Sequence, residues 1–156
     1  MKLCVLAVGG RMPAWVDAAF AEYAKRMPRE ARLELKQIKP DRRGAGRTVD
    51  QALAVERDRI LAAAPERAVP VALDERGKQL TTAQFAHRLE QWLGEGRDVA
   101  FMIGGADGLH PDIKRRAGLL LGLSALTLPH GLARVVLAEQ LYRAMSILRG
   151  HPYHRE

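Results

Sequence analysis

The chain alternates between two hydrophobic patterns. Residues 2 to 9, "KLCVLAVG", are almost continuously apolar and stop at Gly9 and Gly10, which is how a strand buried on both faces reads. Pro13 then opens a segment in which Trp15, Val16, Ala19, Phe20, Tyr23 and Ala24 recur at helical spacing, with Asp17, Glu22 and Lys25 on the other side. "ARLELKQI" (31 to 38) alternates apolar and polar residues, the pattern of a strand nearer a sheet edge. The alternation continues with a helix over "VDQALAVERDRILAAA", a strand at 68 to 74, a glycine-closed helix over "TTAQFAHRLEQWLGEG" and a strand at 98 to 105. A short helix begun near Pro111, a strand around 123 to 128 and a long helix from about Leu132 to Arg149 complete the chain. Strand and helix taking turns predicts an α/β fold, a mostly parallel sheet with helices on both faces, formed by one domain over residues 1 to 156.

In such sheets ligands bind outside the carboxyl ends of the strands. Three of those ends draw notice: "ALDERG", "MIGGADG" and "LTLPHG". Gly104, Gly105 and Gly108 lack Cβ atoms, so the backbone there can take positive φ and a ligand can approach its amides closely. Ser124 and Thr127 add hydroxyls beside a chain that bends at Pro129. Tight turns without any ligand are the plainer explanation for one such end; three together favour a crevice.

Charge sharpens this picture because it is uneven. Of the formal net charge of +7, the first 48 residues hold eleven Lys and Arg against five Asp and Glu, so the rest of the chain is nearly balanced. The excess centres on "KPDRRGAGRT", a glycine-containing loop whose Arg42, Arg43 and Arg47 suit phosphate contact as RNA-binding residues, although a solvated loop has the same composition. The lone Cys4 lies in an apolar run, which rules out a disulfide framework or cysteine zinc site and fits a reducing cytoplasm. No run of eighteen apolar residues occurs, so neither export nor membrane insertion is expected.

Several chemistries are excluded by their motifs. Neither "VGGRMP" nor "IGGADG" completes G-x-G-x-x-G, no P-loop is present, and no G-x-S-x-G elbow occurs. His87, His110, His130, His151 and His154 are scattered without metal-ligand spacing, so no metal site is expected.

The segments "LDERGK", "FMIGGADGL", "LSALTLPHGLARVVLAEQLYRA" and the terminal "HPYHRE" together resemble the RlmH (YbeA) family of SPOUT-class RNA methyltransferases, over essentially the whole chain. The resemblance implies S-adenosylmethionine-dependent methylation of N3 of a pseudouridine in the 23S rRNA of the large ribosomal subunit. It also implies a cytoplasmic homodimer whose subunits carry a C-terminal trefoil knot, a feature that general topology rules would argue against. The family's cofactor site falls on Leu73, Gly104, Gly105, Leu123, Ser124, Ala125, Leu126, Thr127 and Leu128. There the apolar side chains would sandwich the adenine and the backbone would read its edge.

In the tail, His151, Tyr153, His154 and Arg155 are able to stack on a base, contact phosphate or take a proton. That density of rings and charge, beside the resemblance, favours function over a frayed end, with Tyr153, His154 and Arg155 as catalytic candidates and His151 as RNA-binding, and with the identity of a general base open. A non-catalytic RNA- or ribosome-binding protein and a nucleotide-binding oxidoreductase are the alternatives from other classes, and cofactor binding separates them. The last helix has a broad apolar surface (Leu132, Val135, Val136, Leu137, Leu141, Ala144, Met145 and Leu148), wide enough for core or interface, and Glu139 and Arg143 stand at pairing distance along it.

Overall fold

The structure, a computed structural model, describes residues 1–44 and 46–155; Ala45 of the basic loop and Glu156 of the tail lie outside the described residues. β1 (Lys2–Val8) is buried from its second residue onward. Its side chains go alternately to two layers, as strand geometry requires. Leu3, Val5 and Ala7 meet Phe20 of α1 (Ala14–Arg26), Phe85, Leu89 and Trp92 of α3 (Thr82–Glu95) and Leu137 and Leu141 of α5 (His130–Leu148). Cys4, Leu6 and Val8 meet Ile60 of α2 (Val49–Ala63) and Ile113 of α4 (Pro111–Arg116). Two covered faces explain the continuous apolar run.

With β2 (Arg32–Ile38), β3 (Val69–Gln79), β4 (Val99–Ile103) and β5 (Leu119–Gly122), β1 forms a five-stranded sheet of order β2-β1-β4-β3-β5 in which each pairing is parallel. The expected α/β class and helices on both faces are therefore present, and β2 is an edge strand. Local chemistry marks the helix ends. Thr48 with Gln51 and Thr81 with Gln84 make reciprocal capping boxes at the starts of α2 and α3, and Gly96 in the left-handed conformation closes α3. Among the described residues, no helix is long and apolar enough to cross a membrane.

β4 ends at Ile103 and α5 begins at His130, each two residues earlier than expected, and two larger differences shape the crevice. The fifth strand is not at 123–128 but at Leu119–Gly122, because the chain leaves the sheet at Gly122. Residues 123 to 128 are an irregular loop, in which the Leu126 N–H donates to the Ser124 Oγ at 2.9 Å instead of to a ladder. β3 runs on past residue 74 to Gln79, but its pairing with β5 slips between Leu73 and Lys78, so residues 74 to 77 bulge from the ladder. Glycines permit this crossing: a Cβ on Gly77 would stand 2.7 Å from the Gly122 nitrogen.

Candidate active site

The bulged middle of β3, the carboxyl ends of β4 and β5, the loop 123–128 and the first turn of α5 enclose a cavity of about 570 Å³. That lies within the range of roughly 300 to 1,000 Å³ usual for sites that bury a small organic ligand. Of the residues expected to bind cofactor, Leu73, Gly104, Gly105, Leu123, Ser124, Leu126 and Leu128 line it. Ala125 and Thr127 belong to the same loop but are exposed and not on the cavity wall. Leu126 is 77% exposed, a large apolar side chain left at the rim with nothing to cover it in the single chain.

The glycines act differently from expectation. Of Gly104, Gly105 and Gly108, only Gly108, with φ of 75°, takes the left-handed conformation; it pairs with Gly105 in a tight turn closed by the Gly108 N–H donating to the Gly105 carbonyl at 3.1 Å. A Cβ on Gly104 would lie 2.3 Å from the Gly108 carbonyl carbon, and one on Gly105 would lie 3.2 Å from Val8 Cγ1. Both missing Cβ atoms make room for the protein's own chain, and the turn so formed brings backbone to the cavity wall.

Polar residues that the sequence did not single out surround the apolar walls. Asp74, in the β3 bulge, accepts from the Arg76 N–H at 2.8 Å and pairs with Lys114 Nζ at 2.9 Å. The Lys114 ammonium, then the Arg76 amide, hold its carboxyl below the ordinary value. His130 at the start of α5 has its Nδ1 3.0 Å from the Gly104 carbonyl oxygen. Burial, reinforced by the charge of Arg134, keeps the ring's pKa below its usual value. The signal for both was available: Asp74 follows Leu73 directly, and His130 closes the "LSALTLPH" segment.

The basic loop is tied to this rim. Arg43 Nη1 pairs at 2.5 Å with Glu56, whose side chain is 3% exposed, and Arg43 Nε pairs with Asp107 of the cavity wall at 2.9 Å. Arg43, expected to meet RNA, thus neutralises a buried carboxylate and pins the loop to the β4–α4 turn. Arg42 is exposed, and Arg47, also exposed, stands 3.3 Å from Asp41.

The tail forms a 3-10 turn over Pro152–Arg155 against α5. The Tyr153 hydroxyl donates to Glu139 at 3.0 Å, its ring lies 4.6 Å from that of Tyr142, and Arg143 stands over it at 4.9 Å. Burial first, and then its hydrogen-bonded neighbours, push its pKa up. The expected pair of Glu139 and Arg143 is made at 2.8 Å. His151 is exposed, with its Nδ1 accepting from the Tyr153 N–H. None of His151, Tyr153, His154 and Arg155 lines the cavity. The cavity takes the first turn of α5 (His130, Ala133), whereas Tyr153 meets α5 from Glu139 onward. One chain keeps the two groups of candidate residues apart.

Comparison with known proteins adds three findings. A family described as "Predicted SPOUT methyltransferase" matches residues 1–154. "Ribosomal RNA large subunit methyltransferase H" of Laribacter hongkongensis is 60% identical over 156 residues, covering 100% of both chains, and the protein of the same name from Chromobacterium violaceum is 56% identical with the same coverage. Among solved structures, a putative methylase family protein from Neisseria gonorrhoeae superposes with a TM-score of 0.53 at 13% identity, over 90% of this chain and 81% of that one, which concerns the fold alone.

Proposed function

The chain belongs to the SPOUT methyltransferase family, and from that premise we propose that it methylates N3 of a pseudouridine in the 23S rRNA of the large ribosomal subunit, in the cytoplasm, with S-adenosylmethionine as donor. The observation that carries this reading is the cavity itself: seven of the nine residues expected to hold the cofactor converge on one crevice between the bulge of β3 and the carboxyl ends of its neighbours β4 and β5.

The cavity fits the cofactor's chemistry. Leu73, Leu123 and Leu128 offer apolar walls for a purine, and the backbone at 104 to 108 and at 123 and 124 offers amides and carbonyls for its polar edges. Asp74 offers a carboxylate that is ionised at neutral pH toward a cationic ligand. Bound there, S-adenosylmethionine supplies an electrophilic methyl group. The protein's share is chiefly placement, an effect that reaches about 7 to 11 kcal/mol in well-oriented reactions. The imide N3 must also lose its proton, and His154 and Arg155 are the candidates to take that proton or to steady the resulting anion.

Homodimer formation belongs to the same proposal. What supports it is the separation of tail from cavity within one chain, together with an unfinished surface. Leu132, Val135 and Val136 are only half-buried on α5, and Trp15 of the neighbouring α1 is 57% exposed. A second copy seated on that surface would cover it and would bring its tail toward the first copy's cavity. The exposed Arg42 and Arg47 would then guide the RNA. Titration calorimetry with S-adenosylmethionine and with NAD, followed by methyl transfer to intact ribosomes and to naked rRNA, tests the reading. Binding of NAD alone would favour the oxidoreductase, and RNA binding without either ligand would favour a non-catalytic RNA-binding protein.

A further inference from the structure

Among the described residues, six buried side-chain nitrogen and oxygen atoms lack a hydrogen-bond partner, and four of them are Nε, Nη1 and Nη2 of Arg134 and Nε2 of His130. Both side chains converge on Gly9 at the end of β1: a Cβ there would stand 3.1 Å from Arg134 Nη2 and 3.7 Å from His130 Cε1. Arg134 has no exposed surface at all. A guanidinium has donors only, and leaving several of them dry and unpaired is costly.

The two nitrogens of His130 are not equivalent. Nδ1 faces the Gly104 carbonyl, which can only accept, so Nδ1 carries the hydrogen and the neutral ring leaves Nε2 as a bare acceptor. An unpaired acceptor and unpaired donors therefore meet beside the same glycine. The absence of a side chain at Gly9 is what allows the guanidinium to lie so close.

We propose that Arg134, His130 and Gly104 form one hydrogen-bonded chain, in which Arg134 donates to His130 Nε2, directly or through a single enclosed water, and His130 Nδ1–H holds the Gly104 carbonyl. His130 and Arg134 are then positioning residues of the cofactor cavity, a role that rests on the cofactor reading above. Gly104 directly follows β4 and begins the glycine turn of the cavity wall, so the orientation of its carbonyl decides which backbone groups the cofactor meets. The chain works only while the ring is neutral, and its surroundings keep it so: burial and the adjacent Arg134 both oppose protonation. Asp17 on α1 acts on Arg134, and the cavity wall carries Asp74 paired to Lys114 and Asp107 paired to Arg43.

The test combines the imidazole ¹⁵N spectrum of the cofactor-free protein with calorimetric S-adenosylmethionine binding between pH of about 5.5 and 8.5. Wild type should show His130 as the neutral Nδ1–H form at neutral pH, titrating only below its ordinary pKa of about 6.5. Arg134→Met should raise the pH at which His130 titrates and weaken cofactor binding about tenfold at the acid end, with a smaller loss at the alkaline end. His130→Asn, whose amide can replace Nδ1–H, should bind cofactor within about threefold of wild type, whereas His130→Gln, which places its amide at the other ring position, should bind about tenfold more weakly. The histidine variants decide the matter if Arg134→Met does not fold. An Nε2–H or protonated His130 at neutral pH, or equal affinities in the Asn and Gln variants, would overturn the proposal. Failure of wild type to bind S-adenosylmethionine would instead count against the cofactor reading, with the ¹⁵N spectrum still judging the chain.

Discussion

Alanine at Gly104 and alanine at Gly105 should behave very differently, although the two residues are adjacent and both line the cavity. At Gly104 a Cβ would lie 2.3, 2.5 and 2.7 Å from the Gly108 carbonyl carbon, the Gly108 oxygen and the Leu109 nitrogen. All three are backbone, so relief requires the turn to move by about an ångström rather than a side chain to rotate. Overpacking in a rigid site costs about 1 to 3 kcal/mol, and a backbone clash belongs at the upper end. A loss of about 3 kcal/mol corresponds to a fall in Tm of roughly 6 to 12 °C for a chain of this size. At Gly105 the nearest atom is Val8 Cγ1 at 3.2 Å, which can yield by a few tenths of an ångström. The reduced freedom of the unfolded chain, worth about 0.4 to 1 kcal/mol for Gly→Ala, offsets much of that strain. Gly105→Ala should therefore unfold within about 1 kcal/mol of wild type and retain cofactor binding, while Gly104→Ala loses both. Urea unfolding and calorimetric titration of the two variants check this. Equal unfolding midpoints would refute the packing argument and return these glycines to the role of simply admitting a ligand.

Arg43→Gln should destabilise the protein by about 3 kcal/mol, because it strips the charge partner from the buried Glu56, and adding Glu56→Gln should recover much of the loss; chemical denaturation of the single and double variants measures it. Neutralising Arg42 and Arg47 should lower the salt dependence of RNA binding by about 0.7 for each phosphate no longer neutralised, while leaving S-adenosylmethionine affinity unchanged, as read by anisotropy titrations at several salt concentrations. Acidification should expose His130. Its folded pKa lies below its unfolded value, so the unfolded chain binds the extra proton first, and stability falls as pH drops below about 6.5 toward the folded pKa; thermal melts of wild type and His130→Asn across that window should differ in slope. Tyr153→Phe removes the hydroxyl bonded to Glu139 and should cost about 1 kcal/mol, seen as a small fall in the melting temperature.

The sequence made the sheet legible because β1 and β4 are buried on both faces and their apolar runs end in glycine, and because each helix has a clear start or stop residue. It misplaced the fifth strand for a physical reason. "LLLG" and "LSALTL" are both short apolar runs, and only the pairing of Leu119–Gly122 with β3, together with the Gly77–Gly122 close approach, decides between them. The apolar loop was still recognisable as a cavity wall through the family resemblance, which implies Leu73, Gly104 and the 123–128 segment as cofactor-binding residues whatever the secondary structure of that segment. What was not legible is mutual neutralisation. Arg43 reads as one cation among several in a basic loop, and its tie to Glu56 and Asp107 depends on residues 13 and 64 positions away. The burial of Arg134 was equally hidden, since an arginine at helical spacing normally marks the solvent side.

Methyl transfer to a defined ring nitrogen of ribosomal RNA leaves a product that can be located atom by atom. Incubating the protein with isotopically labelled S-adenosylmethionine and ribosomes lacking the modification, then mapping the label by nuclease digestion and mass spectrometry, addresses it directly. A single labelled methyl is expected on N3 of one pseudouridine in 23S rRNA, lost when residues 151 to 156 are deleted even though the truncated chain still binds cofactor. Label on a different atom or base, or full transfer by the truncated chain, would contradict it.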